Sequence, residues 1–371
     1  MKCVVSREAL LAGLQIVQNV VSTRTTLPIL GNALVQAADG KLIISTTDLD
    51  TGIRASVEAE IIKPGSTTLP ARRLFSIIRE LPAAELTLEV DSKQVATITS
   101  GASFFRIMGL PEEDFPPFPK GDGARTFKMP QGVFRDMLKR TAYAISTDES
   151  RYVLNGVLLS FKDNKLTLVA TDGRRLALVE QELEFPKGSE VEAILPTKAV
   201  QELQRILRDE EPLTISFDRG EGTQAGNQVS FDLGNTFLYS KLIEGNYPNY
   251  KQVVPAEAKD RIILEREIFL NAVRRVALLS SEKSNSVKLI FSKNNLDITA
   301  NTPEVGEAKE SLPITYKGKD FNIAFNPEFL MDPLKNLDTD EIFFDFIDEL
   351  SPGVIKYKRP FLYVIMPMRT A

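Results

Sequence analysis

The feature that most constrains this chain is a sequence pattern that recurs three times at a long period. The segment "ILGNALV" of residues 29–35 aligns with "VLNGVLL" of residues 153–159. In the same register, "GKLIISTTD" of residues 40–48 aligns with "NKLTLVATD" of residues 164–172. A fainter third copy, "NSVKLIFSKNNLDITANT" of residues 285–302, aligns with the second. Recurrence at this spacing predicts a tandem array of similar structural units.

Each copy also carries two helix-like segments in the same order. The first segments are predicted at residues 6–21, 130–145 and 265–280, and the second at residues 70–81, 196–209 and 326–337. The segment at 130–145 has the apolar stripe of an amphipathic helix, formed by Val133, Phe134, Met137, Leu138, Ala142 and Ile145. Pro70 and Pro196 stand at the first turn of two second helices, and Asn326-Pro327 reads as an N-cap followed by Pro.

Alternating strands close each copy, as in "ELTLEV", "PLTISF" and "EIFFDF". These elements predict an α+β fold of three similar domains, each with two helices on one face of antiparallel strands. Short turns at Asp39-Gly40 and Asp163-Asn164 fit β-hairpins. A chain of 371 residues has room for several domains. We expect their boundaries at residues 1–121, 122–254 and 255–371.

The last ten residues, "LYVIMPMRTA", are unusually apolar for a chain terminus. They either form a buried final strand or line a pocket for apolar partners. Because "FLYVIM" corresponds to an internal strand of the other two copies, we expect at least part of this segment to lie in the core.

Composition excludes several classes of active site. The chain has no histidine and one cysteine, Cys3, so Ser-His-Asp and Cys-His catalysis, internal disulfides and multi-cysteine metal sites are excluded. No G-x-x-x-x-G-K-[ST] phosphate loop is present. We expect no catalytic residue, no cofactor and no metal site. The sequence has no apolar leader or membrane-span pattern, which predicts a cytoplasmic protein with no membrane partner.

Basic residues recur on equivalent helices although the net charge is −5. Lys198, Gln201, Arg205 and Arg208 fall on one side of the second helix of the middle copy, and Arg72, Ser76 and Arg79 repeat the pattern. Either these are ordinary solvated helix faces or they form a stripe that contacts phosphates without reading sequence. Such contacts weaken steeply with salt, so a few cations alone would hold DNA only briefly.

The whole chain resembles the bacterial β sliding clamp family, the processivity subunit of DNA polymerase III. The resemblance rests on "TLPILGNALV" (26–35), "TTDLDTGIRA" (46–55), "RYVLNGVLL" (151–159), "ATDGRRLA" (170–177), "IEGNYPNY" (243–250), "LDITANTPE" (296–304) and "YVIMPMR" (363–369). It implies a non-catalytic protein that dimerises head to tail into a six-domain ring around duplex DNA, with the helices innermost. The implied partners are a second copy, double-stranded DNA of any sequence, the replicative polymerase, the clamp loader, and other polymerases and repair proteins. A nucleoid-associated location is implied as well.

The resemblance also implies residue roles. Partners would insert short apolar peptides between the second and third domains, into a pocket of Leu154, Thr171, Gly173, Arg174, Arg175, Leu176, Pro248, Val253, Val364, Met366, Pro367, Met368 and Arg369. The DNA-facing residues would be Arg24, Arg72, Arg79, Lys139, Lys198, Arg205, Arg208 and Arg275. The dimer interface would join Phe105 and Ile107 to Leu278 and Leu279 of a second copy. Arg174, where many clamps have histidine, and the Thr370-Ala371 ending depart from the family pattern.

Two other functions remain open at this point. A hydrolase could use a carboxylate such as Asp48 or Asp172, although the recurrence of Thr-Asp in two equivalent turns fits a structural Asx turn better than a unique active site. A repeat scaffold could bind peptides without encircling DNA. Retention on circular but not linear DNA separates that scaffold from a clamp.

Overall fold

The computed structural model describes residues 1–21, 27–82, 84–119, 123–218, 225–255, 258, 260–280, 285–303, 306–358 and 360–369. The chain divides into two compact units. Unit 1 comprises Met1–Arg135 with Lys198–Leu242, and unit 2 comprises Asp136–Thr197 with Ile243–Ala371. Within the described residues, no helix is both long and apolar enough to cross a membrane.

Six α-helices are found in the described part of the chain, at the six predicted places. They are α1 (Arg7–Val17), α2 (Ala71–Glu80), α3 (Gln131–Thr141), α4 (Thr197–Ile206), α5 (Arg266–Ala277) and α6 (Pro327–Asn336). The first five begin directly after a strand, and α6 begins one residue after β22 (Phe321–Phe325). Asn326 caps α6 as predicted, because its side chain accepts a hydrogen bond from the backbone N–H of Glu328 at 2.8 Å. Pro70 and Pro196 were expected in the first turns of α2 and α4. Each is instead the last residue of the preceding strand, one position before the helix begins.

The strands form four antiparallel sheets, two in each unit. In unit 1, sheet A has the order β5 (Glu60–Lys63), β1 (Lys2–Ser6), β7 (Glu85–Val90), β8 (Val95–Ser100), β9 (Ser103–Met108). Sheet B has the order β10 (Arg125–Pro130), β15 (Pro212–Phe217), β16 (Gln228–Asp232), β17 (Thr236–Lys241), β4 (Thr51–Glu58), β3 (Lys41–Thr47), β2 (Asn32–Ala38), β6 (Gly65–Pro70).

Unit 2 repeats this plan. Sheet C has the order β14 (Val191–Pro196), β11 (Gly156–Lys162), β12 (Lys165–Thr171), β13 (Arg175–Glu182), β25 (Phe361–Ile365), β24 (Gly353–Lys356), β23 (Glu341–Phe346), β18 (Asp260–Glu265). Sheet D has the order β21 (Gly306–Pro313), β20 (Asn295–Thr302), β19 (Val287–Ser292), β22 (Phe321–Phe325).

Sheets B and C each join strands of two consecutive domains. At the first junction β17 of the second domain pairs with β4 of the first, with Tyr239 opposite Gly52. At the second junction β25 of the third domain pairs with β13 of the second, with Val364 opposite Leu176. Backbone hydrogen bonds therefore run continuously across each junction.

The predicted turns are confirmed by backbone geometry. Asp39 and Gly40 have φ values of 51° and 73°, and Asp163 and Asn164 both have 53°. Positive φ at both central residues is the type I′ hairpin geometry, which matches the twist of the flanking strands. Aspartate and asparagine tolerate this region because their short polar side chains hydrogen-bond locally.

The terminal strand β25 lies inside sheet C, between β13 and β24. Tyr363, Val364 and Ile365 are all buried. Burying a side chain of this size stabilises a fold by about 1.5–3 kcal/mol. The apolar ending of the chain is therefore a core strand up to Ile365, as its correspondence with the internal strands of the other copies predicts.

Candidate functional site

The second junction is built on a Thr-Asp turn between β12 and β13. The Asp172 carboxylate accepts hydrogen bonds from the backbone N–H groups of Arg174 and Arg175, at 2.9 and 3.0 Å. Thr171 Oγ1 donates to the carbonyl of Arg175 at 2.6 Å and accepts from the N–H of Gly173 at 3.1 Å. Gly173 has φ 84°, a conformation that glycine adopts without strain. Asp172 is thus committed to an Asx turn, as the repeat predicts.

Arg175 is the most constrained of the predicted pocket residues. Its side chain is 10% exposed, and Nε donates to the Asp172 carboxylate at 3.1 Å while Nη1 donates to Asp332. Nη2 donates to the carbonyl of Tyr143 at 2.6 Å, and the guanidinium lies 4.2 Å from the centre of the Phe329 ring. Burial lowers the pKa of Arg175, but nearby groups that include these carboxylates outweigh it and raise the pKa above its usual value. Its donors therefore hold the fold together rather than face solvent.

An apolar cluster lies beside this turn. Its buried members are Leu158, Val169, Leu176, Ile194 and Val364. The segment after β17 covers one side of the cluster, because Ile243 pairs with Ile194 and the rings of Tyr247 and Tyr250 pack against it. Of the predicted pocket residues in this region, Pro248 and Val253 are exposed. Tyr247 and Tyr250 were not predicted, although "NYPNY" signals them as aromatic residues next to a proline.

The C-terminal segment is hydrogen-bonded to the same turn. The backbone N–H of Met366 donates to the carbonyl of Arg174 at 2.9 Å, and that of Met368 donates to Ala324 at 2.7 Å. Met366 is 42% exposed and Arg369 is exposed, whereas Pro367 and Met368 are partly buried. The structure therefore brings the turn, Leu176, Val364 and Met366 together. Leu154 is buried next to Val153, which packs against the apolar cluster.

The first junction has the same backbone plan but different side chains. Gly52 and Tyr239 occupy the positions that Leu176 and Val364 occupy in the second junction. The Tyr239 ring lies over Gly52, and the Phe118 ring packs edge-on against Tyr239 at 4.8 Å between centroids. Arg54 stacks on Phe118 at 4.2 Å. Aromatic side chains of the chain itself thus cover this junction.

Three of the predicted DNA-facing cations donate to carbonyls in the last turn of α1 or in the segment that directly follows it. Arg205 donates to the carbonyls of Gln15 and Ile16, the first at 2.9 Å. Lys198 donates to the carbonyl of Val20 at 3.2 Å and pairs with Asp48. Arg72 donates to the carbonyl of Val21 at 3.2 Å. Cations at a helix C-terminus stabilise the unpaired carbonyls and the helix dipole.

The other predicted cations are on helix surfaces. Arg79 pairs with Glu80 at 2.9 Å, and Arg275 pairs with Glu310 at 2.7 Å. The side chains of Lys139 and Arg208 are exposed and have no side-chain partner among the described residues. Arg24 lies outside the described residues.

The predicted interface residues are at open sheet edges or helix ends. In the edge strand β9, Phe105 is 37% exposed but Ile107 is 7% exposed and belongs to the core of sheet A. Phe104 and Met108 of the same strand, which were not predicted, are 64% and 69% exposed. Leu278, directly after α5, is 77% exposed, whereas Leu279 is partly buried near Gly306 of the edge strand β21.

No group of three His, Cys, Asp or Glu side chains in the described part of the chain could hold a metal ion. The two Asp residues that recur in the repeat, Asp48 and Asp172, both accept backbone hydrogen bonds in their turns. An equivalent bond at both positions is the property of a structural turn.

Family models match the chain along almost its whole length. They describe the N-terminal, central and C-terminal domains of the DNA polymerase III beta subunit and match residues 1–119, 128–249 and 251–369. The chain is 38% identical over 369 residues to the beta sliding clamp of Chlamydia muridarum, covering 100% of this chain and 99% of that one. It is 35% identical over 376 residues to that of Escherichia coli K12, with 100% of both chains covered.

Solved structures agree. A DnaN sliding clamp from Pseudomonas aeruginosa, bound to griselimycin, superposes with a TM-score of 0.94 at 33% identity, and the coverage is 100% of both chains. The DNA polymerase sliding clamp of Bacillus subtilis superposes with a TM-score of 0.94 at 30% identity, again over 100% of both chains. Three successive domain matches, full-length relatives and this fold show that the chain belongs to the DNA polymerase III beta subunit family, the beta sliding clamps.

Proposed function

We propose that this chain is a DNA sliding clamp that confers processivity on DNA polymerase III by closing, as a homodimer, into a ring of six domains around duplex DNA. The observation that carries the proposal is the tandem repeat itself. Three copies of one α+β domain, joined through continuous sheets, match the sliding clamp family from end to end. As a member of this family the chain is a non-catalytic processivity factor of the polymerase holoenzyme.

Encirclement explains how a chain with a net charge of −5 holds a polyanion. A few cations give only salt-sensitive affinity, whereas a closed ring is retained by topology. The proposed inner surface carries Arg24, Arg72, Arg79, Lys139, Lys198, Arg205, Arg208 and Arg275. We propose domains at residues 1–121, 122–254 and 255–371, and we place the chain's activity in the cytoplasm, on chromosomal DNA of any sequence.

The second junction is the proposed docking site for short apolar peptides of the polymerase, the clamp loader and repair proteins. Its apolar cluster includes Leu176 and Val364, and the exposed Met366 is held beside Arg174. Methionine side chains adapt to different apolar partners. The other proposed pocket residues are Leu154, Thr171, Gly173, Arg175, Pro248, Val253, Pro367, Met368 and Arg369. Because all three guanidinium nitrogens of Arg175 donate to groups of the chain itself, its proposed role is to build the wall rather than to pair with a ligand.

Open strand edges at β9 and β21 support the proposed dimer. Sheet A ends at β9, which exposes Phe104 and Met108, and sheet D ends at β21. An exposed edge pairs readily with another strand, and a head-to-tail contact closes into a ring when its rotation permits. The residues proposed for this interface are Phe105, Ile107, Leu278 and Leu279. Ile107 is buried, so its proposed role is to support the edge strand from the core.

Retention on circular DNA tests the proposal. The clamp is loaded enzymatically onto nicked plasmid, and half of the loaded plasmid is then linearised. The circular and the linear samples are both gel-filtered. We expect the protein to stay with the circle and to be lost from the linear form, because a ring slides off free ends. Equal retention on both forms would instead support the peptide-binding scaffold, and turnover of nucleotides or glycans lost in Asp172→Ala would support the hydrolase.

A further inference from the structure

The strongest unexplained feature of unit 2 is the network around the buried guanidinium of Arg175. Arg175 stands in the chain between Arg174 and Leu176, two other residues of the proposed pocket. Besides Asp172, it has two partners that are remote in sequence: Asp332 lies in α6, and Tyr143 lies just after α3. Neither partner belongs to the predicted pocket.

Asp332 is held in place by its own helix. Asn336 donates from its side chain to the Asp332 carbonyl at 2.8 Å, and Lys335 lies 3.8 Å from the Asp332 carboxylate. The same helix presents the Phe329 ring to the guanidinium, and Tyr363 Oη donates to the Phe329 carbonyl at 2.8 Å. Strand β25 and α6 are thus fixed to each other at the point where α6 contacts Arg175.

The turn that Arg175 anchors also holds the C-terminal wall. Its neighbour Arg174 accepts the hydrogen bond from Met366, and its other neighbour Leu176 is buried in the apolar cluster. A shift of Arg175 therefore displaces both sides of the proposed pocket. Residues that act on a ligand must be held within a fraction of an ångström by supporting contacts.

We propose that Asp332 is a positioning residue for peptide docking, which fixes Arg175 and through it the relative placement of Leu176 and Met366. The inference rests on the proposed peptide-binding function of the second junction. Removing the Asp332 carboxylate leaves the buried guanidinium with Asp172 as its remaining carboxylate partner, and a buried ion pair that loses one partner is destabilised. We expect the turn at residues 172–175 to loosen while α6 keeps its buried face, formed by Leu330, Pro333 and Leu334.

The test compares Asp332→Ala, Asp332→Asn and the control Asp338→Ala. Asp338 is an exposed acidic residue just beyond α6. The probe is a fluorescein-labelled apolar peptide from the replicative polymerase, and binding is followed by fluorescence anisotropy. We expect Asp332→Ala to weaken binding about tenfold, equivalent to about 1.4 kcal/mol. Asp332→Asn keeps an acceptor oxygen and should stay within about threefold of wild type, as should the control.

A second readout separates positioning from general stability. Amide hydrogen exchange of the peptide-free protein should accelerate at residues 172–176 in Asp332→Ala but stay unchanged in the core strands β12 and β25. Wild-type affinity in Asp332→Ala, or an equal loss in Asp332→Asn, would overturn the inference. Failure of the wild-type protein to bind the peptide would instead reject the pocket itself.

Discussion

The ring of Tyr239 lies directly over the α carbon of Gly52, where an added Cβ would come within 2.1 Å of Tyr239 Cε1. The two residues face each other across the β4–β17 pair, and Tyr239 Oη shares a hydrogen bond of 2.6 Å with Thr47 Oγ1. Glycine at this position lets an aromatic ring and a hydroxyl fill the first junction. The equivalent position in the second junction holds Leu176.

We expect Gly52→Ala to lower the free energy of unfolding by about 2–3 kcal/mol, because the methyl group overpacks the junction. Urea denaturation measures the change. Gly31→Ala is the matched control, since a Cβ at Gly31 meets nothing within 4 Å, and its effect should stay within about 0.5 kcal/mol. Equal stability of Gly52→Ala and the control would show that the Tyr239 ring moves aside without cost.

The proposed DNA-facing cations should fall into two groups: those whose removal weakens only DNA binding, and those whose removal also lowers the free energy of unfolding. Lys139 and Arg208 are exposed, so Lys139→Ala with Arg208→Ala should weaken binding of a short DNA duplex at low salt. The slope of log affinity against log salt should fall by about 1 for each cation removed. The unfolding free energy of this double variant should change by less than about 0.5 kcal/mol.

Arg205→Ala provides the contrast, because Arg205 also satisfies the carbonyls of Gln15 and Ile16 at the end of α1. We expect it to lower the unfolding free energy by about 1–2 kcal/mol in addition to weakening DNA binding. A stability loss in the Lys139/Arg208 variant, or none in Arg205→Ala, would contradict this division.

Leu278→Asp should convert the dimer into a monomer. Leu278 is 77% exposed, and a charge placed in an apolar interface carries a large desolvation cost. Light scattering at micromolar concentration should give the mass of one 41.3 kDa chain rather than two. Ile263→Asp, at an apolar residue of β18 that is 52% exposed, should stay dimeric. A dimer that persists in Leu278→Asp and in Phe104→Asp would contradict the proposed interface.

Acid stability should depend on Asp297. Hydrogen bonds from Lys309 and Ser311 lower the pKa of its carboxyl to about 2. A carboxyl whose folded-state pKa lies below its unfolded value stabilises the fold above the unfolded value, near 3.9, and loses this contribution as pH falls toward 2. Asp297→Asn should therefore remove about 1–2 kcal/mol at pH 7 and flatten the stability profile between about pH 4 and pH 2. A double-mutant cycle with Lys309→Met, measured by urea denaturation, isolates the pair. An unchanged profile in Asp297→Asn would contradict the prediction.

Much of the fold follows from the sequence because the same order of helices and strands occurs in it three times. All six helices lie where they were predicted, but their ends are shorter. Helix α1 ends at Val17 rather than residue 21, and α4 ends at Ile206 rather than residue 209. Apolar periodicity continues past a helix end when the next turn is also buried, as at Val20 and Val21. Periodicity alone therefore does not mark the last hydrogen-bonded turn.

Contacts between distant segments could not be read from the sequence. Strand β9, "SFFRIM", has apolar residues on both faces, so alternation does not reveal that Ile107 packs inward while Phe104 is exposed. In the sequence, Asp332 is simply a polar residue of an amphipathic helix. Nothing in its spacing predicts that it pairs with Arg175, 157 residues away. The same holds for Arg205, whose partner carbonyl at Gln15 is 190 residues away.

The covering of the first junction by Tyr239 and Phe118 has a consequence for replication. Although each chain contains two junctions of one design, its own aromatic rings already occupy one of them. With the second junction as the proposed docking site, a closed pair of chains offers two such sites instead of four. Under the proposed docking, polymerase and repair proteins on the same DNA compete for these two sites, and a protein that dissociates frees its site for the next.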